Sequence, residues 1–178
     1  VRLSRGKHEY LIEQLLYNGE KTIQGLNQPF KVGFTQPTKY LVWVTQLSQA
    51  LNNRNNDQFN YTDSLIKDKK GNTTGQNIIK SETIKFNGQE RISFRLYKYF
   101  NYLQIYQYFD SAVPECINLY SFSLHPKDIQ PSGTANLSKI DNIELRLNVN
   151  TDITGPKISS FTIVMSSVQS VKIVGATK

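Results

Sequence analysis

The clearest hydrophobic pattern in the chain is an alternation of apolar and polar residues over 142–149. The apolar positions are Ile143, Leu145, Leu147 and Val149. Because successive side chains of a strand point to opposite faces, this spacing predicts a strand with one buried and one wet face. A second strand is predicted over 117–124, where Tyr120, Phe122 and Leu124 share a face. The two strands and the connection between them form one structural unit.

The same criteria predict eight strands. They cover 10–17, 30–34, 40–45, 79–86, 117–124, 142–149, 160–165 and 171–174. Asn18-Gly19 and Asn87-Gly88 are strong turn signals after the first and fourth of them. The leucine spacing in 10–17 is also compatible with one helical turn. Eight antiparallel strands in one domain predict an all-β, two-sheet jelly-roll sandwich with short helical segments in its loops, and Trp43 is expected in its core.

Eight aromatic residues are concentrated in 93–110. They are Phe94, Tyr97, Tyr99, Phe100, Tyr102, Tyr106, Tyr108 and Phe109. Tyr99, Tyr102 and Tyr106 stand at helical spacing, which favours an irregular helix or crossing segment packed on the sandwich. The alternative is a carbohydrate-binding module, in which exposed and coplanar rings stack on sugars.

The segment 46–76 is rich in Asn, Asp, Lys and Gly and shows little periodicity. Its length exceeds that of ordinary connections, so we expect a mobile surface insertion loop at the outward end of the domain. Phe59-Tyr61 and Leu65-Ile66 are its expected anchors. Glycosylation sequons begin at Asn60, Asn72 and Asn136, and chance occurrence in an Asn-rich chain accounts for them.

The connection between the two paired strands is dense in structure-forming residues. Pro126 is expected to end the first strand because proline cannot donate to a ladder. The sequence 130–133, Gln-Pro-Ser-Gly, predicts a tight turn with a positive φ at Gly133. Asn136 or Ser138 is placed to cap a short helical turn. We call residues 130–142 the corner.

Residues 120–142, the signature segment, resemble the signature of the major capsid proteins of large double-stranded DNA viruses, the double jelly-roll family. The residues that carry the resemblance are Tyr120, Ser121, Phe122, Pro126, Gln130, Pro131, Ser132, Gly133, Thr134, Ser138, Ile140, Asp141 and Asn142. Lys139 stands where the family has arginine, which keeps the charge and loses a planar bidentate contact. The resemblance is strong over 118–145 and extends over about 10–149.

The resemblance implies a structural protein without catalytic residues or cofactors. It implies that 1–178 is a single jelly-roll domain, the second of a longer chain whose first jelly roll is absent here. Such subunits form homotrimers, pseudo-hexagonal capsomers that tile an icosahedral virion shell beside neighbouring capsomers and minor capsid proteins. Assembly is expected in the host cytoplasm. The corner would then order a domain edge or a subunit contact, or only pack its own domain.

Composition and charge narrow the range of possible functions further. The chain has 178 residues, 38% of them hydrophobic and 20% charged, as in one ordinary globular domain. Its net charge of +7 is scattered, so we expect a solvated basic surface, no specific nucleic-acid site and no membrane insertion. Cys116 is the single cysteine, which excludes an intrachain disulfide and is expected to be buried. His8 and His125 are too few for a metal-dependent jelly-roll enzyme.

Overall fold

The computed structural model describes residues 9–23, 25–50, 57–72, 74–110, 113–150 and 161–174, of which 9–11 and 161–174 are described by their backbone alone. Nine strands lie in this part of the chain: β1 (Glu9–Ile23), β2 (Asn27–Lys31), β3 (Pro37–Leu47), β4 (Ile79–Phe86), β5 (Gln89–Leu96), β6 (Ile117–Ser121), β7 (Ala135–Asn136), β8 (Ile143–Val149) and β9 (Phe161–Val174). Between β5 and β6, a π-helical segment (Tyr99–Leu103) continues into the helix α1 (Gln104–Phe109). We call Tyr99–Phe109 the aromatic helix.

The strands form two antiparallel sheets. The first sheet has the order β1-β9-β3-β6, and the two-residue β7 pairs with the end of β3. The second sheet has the order β2-β8-β4-β5. Each sheet has four main strands, and the chain passes from one sheet to the other between all of them except β4 and β5, so the predicted jelly-roll sandwich is confirmed.

Apolar side chains from both sheets fill the space between them. The alternation predicted in 142–149 is observed on β8, where Ile143, Leu145, Leu147 and Val149 are all buried. Each buried aliphatic side chain of this kind contributes about 1.5–3 kcal/mol to folding. Trp43 on β3 is 1% exposed, as predicted, and its ring packs edge-on against Phe100 at 5.4 Å.

Several strand boundaries differ from the sequence prediction. β5 was missed because this edge strand is largely exposed and lacks a clear alternation. The strands predicted at 160–165 and 171–174 are one strand, β9, since its backbone pairs with β1 and β3 on either side. The turn predicted at Asn18-Gly19 is a bulge within β1, where Gly19 has a φ of +76°. Asn87-Gly88 does turn the β4–β5 hairpin, with positive φ at both residues.

The described part of the long loop is anchored only in part as predicted. Leu65 is half-buried and packs against the core, whereas Phe59 and Ile66, two other expected anchors, are 86% and 71% exposed. Asn60 and Thr62 are buried instead: Asn60 Oδ1 accepts hydrogen bonds from Thr62 N (3.0 Å) and Thr62 Oγ1 (2.7 Å). The Asn60 amide also donates to Ser64 O at 2.8 Å. Polar side chains therefore hold the base of this loop, and the sequon at Asn60 is buried.

Candidate functional site

The signature segment begins by extending the first sheet beyond β6. Phe122 N and Ser123 N both donate to the carbonyl oxygen of Lys39 on β3, at 2.8 and 3.2 Å. Gln104 of the aromatic helix accepts a hydrogen bond from Ser121 N at 3.3 Å. The strand predicted to run to residue 124 therefore ends at Ser121, but its chain stays attached to β3.

Hydroxyl groups then fold the chain back on itself. Ser132 Oγ accepts from His125 N (2.7 Å) and donates to His125 O (3.0 Å). Because Ser132 has one hydroxyl proton, Ser123 is the donor in the 2.6 Å contact between the two hydroxyl oxygens. Ser121 Oγ in turn donates to Ser123 O at 2.7 Å. We call these four residues the serine cluster; it fixes the distance between the two sides of the loop.

The hydrogen-bonded turn of this loop lies earlier than predicted. Asp128 N donates to His125 O at 3.2 Å, which places Pro126 at the second position of the turn, where its fixed φ is favourable. The predicted tight turn at 130–133 is absent, because Ser132 is bonded across the loop to His125. Gly133 nevertheless has a φ of +134°, and a Cβ there would lie 3.3 Å from Phe122 O.

A buried lysine connects the loop to the rest of the first sheet. Lys39 is fully buried beside a bulge in β3. Its Nζ donates to Asp128 O at 2.9 Å and forms an ion pair with Glu13 on β1, whose carboxylate is half-exposed. Since a buried ammonium needs such partners, Lys39 holds β1, β3 and the loop in one arrangement.

The second half of the signature segment leads into β8. Asn136 Oδ1 accepts from Ser138 N at 3.2 Å, so Asn136 is the cap of the short 3₁₀ turn, one of the two predicted candidates. Leu137 in this turn is 1% exposed and Ile140 packs against the core. Asn142 and Asn87 exchange hydrogen bonds of 2.9 and 2.7 Å, which join the corner to the β4–β5 hairpin.

The signature residues thus divide by burial. The buried members are Tyr120, Ser121 and Pro126, and the half-buried ones are Phe122, Ser132, Ile140 and Asn142. The exposed members are Gln130, Pro131, Gly133, Thr134, Ser138 and Asp141. Phe122 stacks on Phe86 of β4 at 6.1 Å, which adds a contact between the sheets. Sequence reasoning located the segment but missed Lys39, because its burial depends on partners distant in sequence.

The serine cluster gives a first prediction. Replacing Ser132 with alanine removes its bonds to Ser123 and to both backbone groups of His125, so we expect a loss of about 1–2 kcal/mol in the free energy of unfolding. Urea unfolding measures this loss. Thr134→Ala, an exposed change in the same segment, is the control and should stay within about 0.5 kcal/mol of the parent. Equal effects of the two changes would show that the cluster contributes nothing specific.

A second candidate surface lies on the aromatic helix. Phe100 faces the core and is 0% exposed, as the predicted packing on the sandwich requires. The opposite side borders an apolar groove of about 600 Å³. Its lining is Lys98, Asn101, Tyr102, Leu103, Ile105, Tyr106, Asp110 and Val113. We call this the helix groove.

The tyrosines of this segment differ in their exposure to solvent. Tyr106 is 77% exposed and Tyr102 is 43% exposed, whereas Tyr97, Tyr99 and Tyr108 are half-buried. Tyr102 donates to Glu115 Oε1 at 2.6 Å, and this hydrogen bond raises the pKa of Tyr102 to about 12. Three of the five rings are therefore half-buried, and the tyrosines are not the uniformly exposed set that the carbohydrate-binding alternative expects.

The described residues contain little that suggests chemistry. Cys116 is buried, as predicted, and burial raises the pKa of its thiol to about 12, so the reactive thiolate is disfavoured. No cluster of three or more metal-ligating side chains occurs in the described ranges. No helix within them has the length and apolar character needed to cross a membrane.

Comparison with known proteins assigns this chain to a family. Residues 1–173 match the family described as large eukaryotic DNA virus major capsid protein. The chain is 37% identical over 166 residues to probable capsid protein 4 of Acanthamoeba polyphaga mimivirus, covering 91% of this chain and 32% of that protein. It is 35% identical over 181 residues to the major capsid protein of Paramecium bursaria Chlorella virus 1, covering 88% and 40%.

Solved structures agree with the sequence comparison. The virus capsid of PBCV-1 superposes with a TM-score of 0.73 at 26% identity, over 97% of this chain and half of that one. The Faustovirus major capsid protein gives a TM-score of 0.76 at 12% identity, covering 94% and 34%, which supports the fold alone. The chain spans about a third to two-fifths of the length of the two curated relatives. This chain belongs to the family of major capsid proteins of large eukaryotic DNA viruses.

Proposed function

We propose that this chain is the second jelly-roll domain of a longer major capsid protein, which trimerises into pseudo-hexagonal capsomers that tile an icosahedral shell. The relatives that it matches are about two to three times as long, which supports a further domain in the whole protein. Neighbouring capsomers and minor capsid proteins would be the partners, and assembly would take place in the host cytoplasm. Such assembly needs no covalent chemistry, only complementary shape and buried apolar area.

The observation that carries the proposal is the helix groove. Tyr102, Leu103 and Tyr106 are large apolar or aromatic side chains on one continuous surface, and each is more than two-fifths exposed. Contiguous apolar surface of this kind marks interaction sites, and tyrosine is enriched in them. Lys98 and Asp110 on the lining supply opposite charges that can fix the register of a partner. We assign the groove to contact with a neighbouring subunit of the trimer.

The corner has a different role in this proposal. The hydrogen bonds of the serine cluster, Lys39 and Asn142 all close within the domain, which favours the packing alternative for most of the signature segment. Its tip is the exception, because Leu124 and Ile129 are 68% and 85% exposed. A contact with another capsid component would therefore involve the tip, and the buried signature residues would hold the tip in position.

The long loop is the proposed outward surface. The residues 66–72 are exposed throughout, whereas Asn60, Thr62 and Asn77 at its base are buried. The exposed part can vary without loss of core contacts, so it is where a capsid would meet host molecules or antibodies. A deletion that shortens the loop without unfolding the domain must therefore keep the buried residues at the base of the loop.

Charge insertion in the helix groove tests the assembly proposal. In the whole polypeptide that carries this domain, Tyr106→Asp is expected to abolish trimers at concentrations where the parent is trimeric, because the aspartate would be buried without a partner at the contact. Analytical ultracentrifugation measures the oligomer, and circular dichroism checks the fold. Ile66→Asp, at a 71% exposed loop position, is the matched control and should remain trimeric. A trimeric Tyr106→Asp protein would exclude the groove as the contact.

A further inference from the structure

A carboxylic acid lies in the interior of the sandwich, where assembly has no evident use for it. Glu82 on β4 is 1% exposed, and its ladder partner on β8, Leu147, is fully buried. Residues directly opposite each other in an antiparallel ladder point to the same side, so Glu82 faces the core. Trp43 Nε1 on β3 donates a hydrogen bond of 2.8 Å to Glu82 Oε2. Because β3 and β4 belong to different sheets, this bond joins the two layers of the sandwich.

The strands beside Glu82 bring no counter-charge to it. Arg95 is its ladder partner on β5, but Arg95 is exposed and its guanidinium carbon lies 5.7 Å from the centre of the Tyr99 ring. On β8, Arg146 lies opposite Thr83, on the other face of the sheet. Lys39, the buried cation of β3, is paired with Glu13. A charge on Glu82 would therefore have no cationic partner among these strands.

The aromatic neighbours of Trp43 bring one further cation to this region. Tyr120 on β6 and Tyr99 in the aromatic helix pack against Phe100, the ring that contacts Trp43. Arg91 on β5 is hydrogen-bonded to Tyr120, whereas the side-chain hydrogen bond of Glu82 comes from Trp43. Asn118 lies opposite Trp43 in the β3–β6 ladder and is fully buried. Neither its amide nor Glu82 Oε1 has a hydrogen-bond partner among the described residues. Trp43 is thus the single donor that the described residues provide to the carboxyl group.

This environment determines how Glu82 titrates. Burial raises the pKa of Glu82 well above its ordinary value of 4.5, and the hydrogen bond from Trp43 offsets the shift only in part. An acid whose pKa is raised by folding contributes stability that is complete below the pKa of the unfolded chain and is lost as pH rises through the pKa of the folded state. The protein therefore begins to lose this stability near pH 4.5, and the loss grows as the pH rises towards the pKa of the folded state.

We propose that Glu82 and Trp43 form a proton-linked latch between the two sheets, closed while the carboxyl group keeps its proton and weakened when that proton leaves for solvent. The protonated acid accepts the Trp43 bond without placing a charge in the core. The carboxylate would be a buried charge with one donor, which a sandwich interior tolerates poorly. The latch opens towards alkaline pH, in contrast to the acid denaturation that paired carboxylates cause.

Comparing Glu82→Gln with the parent over a pH series tests the latch. Glutamine keeps the size of the side chain and can accept the Trp43 bond, but it does not titrate. Urea unfolding followed by Trp43 fluorescence should give parent and variant similar midpoints below pH 4.5. Above that pH the unfolding constant of the parent, divided by that of the variant, should rise by up to about tenfold per pH unit. Glu90→Gln, at a half-exposed carboxylate on β5, should follow the parent curve.

Parallel pH profiles for the parent and Glu82→Gln would overturn the proposal. If the variant does not fold, the parent alone decides the question by infrared spectroscopy. At pH values just above those at which exposed carboxylates ionise, one protonated carboxyl stretching band should remain in the folded parent and disappear on unfolding. The absence of that band in the folded parent would equally overturn the latch.

Discussion

Replacing Gly133 with valine is expected to lower the free energy of unfolding by about 2–3 kcal/mol and to prevent the proposed assembly into capsomers. The φ of +134° at this position is one that residues with a Cβ rarely adopt, and forcing such a conformation costs about 1–3 kcal/mol. The new Cβ would also lie 3.3 Å from the carbonyl oxygen of Phe122, and valine adds two methyl groups beyond that Cβ. Phe122 is the residue whose N–H donates to Lys39 O and so joins the loop to β3. Urea unfolding and sedimentation measure the two effects.

A second glycine provides the matched control. Gly25 does not have a positive φ, and a Cβ there would meet nothing within 4 Å. Gly25→Val should therefore change the free energy of unfolding by less than about 0.5 kcal/mol and leave assembly intact. A Gly133→Val protein as stable as Gly25→Val would contradict the conformation assigned to the signature segment.

Lys39→Met is expected to cost about 2–3 kcal/mol. Methionine fills most of the space of the lysine stem, so the loss reports the ammonium group and little of a cavity. Without Nζ, Asp128 O loses a buried donor and Glu13 loses its ion pair. Because the Glu13 carboxylate is half-exposed and can rehydrate, we expect less than the 3–5 kcal/mol typical of a broken, fully buried pair. The measurement is the midpoint of urea unfolding at constant pH and salt.

The control for Lys39→Met is the same substitution at an exposed lysine. Lys127 contacts Asp110 at 3.4 Å, and both side chains are about half-exposed or more. Solvent-exposed ion pairs contribute about 0–1 kcal/mol, so Lys127→Met should change stability only slightly. If the two substitutions had equal effects, Lys39 would not be the residue that connects the loop to β1 and β3.

Two Asn-Gly pairs show what local sequence can predict here. Asn87-Gly88 forms the predicted turn, and Asn18-Gly19 forms a bulge inside β1 instead. Both glycines have positive φ, so the local conformational preference was identified correctly in each case. The outcome differs because β1 finds continuous pairing along β9 on both sides of its glycine. Such pairing depends on a strand that lies far away in sequence.

Alternation was clearest where one face of a strand is buried. β8 is an interior strand of its sheet and shows the full pattern, whereas β5 at the sheet edge is largely exposed and was missed. The same limit applies to the long loop, whose apolar residues Phe59 and Ile66 are exposed while Asn60 is buried. Asn60 is stable there because four hydrogen bonds satisfy its amide, an arrangement that composition does not reveal.

The buried ionisable residues were also beyond local sequence reasoning. Lys39 and Glu82 both lie in segments that alternate as ordinary strands, and either side chain would be expected in solvent. Their burial follows from a few partners on other elements: Asp128 O and Glu13 for the lysine, and Trp43 for the acid. The signature segment itself was located from sequence because its Pro, Gly and Ser residues have local conformational roles.

The mass of the native assembly formed by the whole polypeptide that carries this domain tests the central proposal most directly. Native mass spectrometry or sedimentation equilibrium on purified capsomers would supply it. We predict a mass of three polypeptides, each substantially longer than the 178 residues of this chain. A polypeptide that stays monomeric at concentrations where shells form would contradict the account.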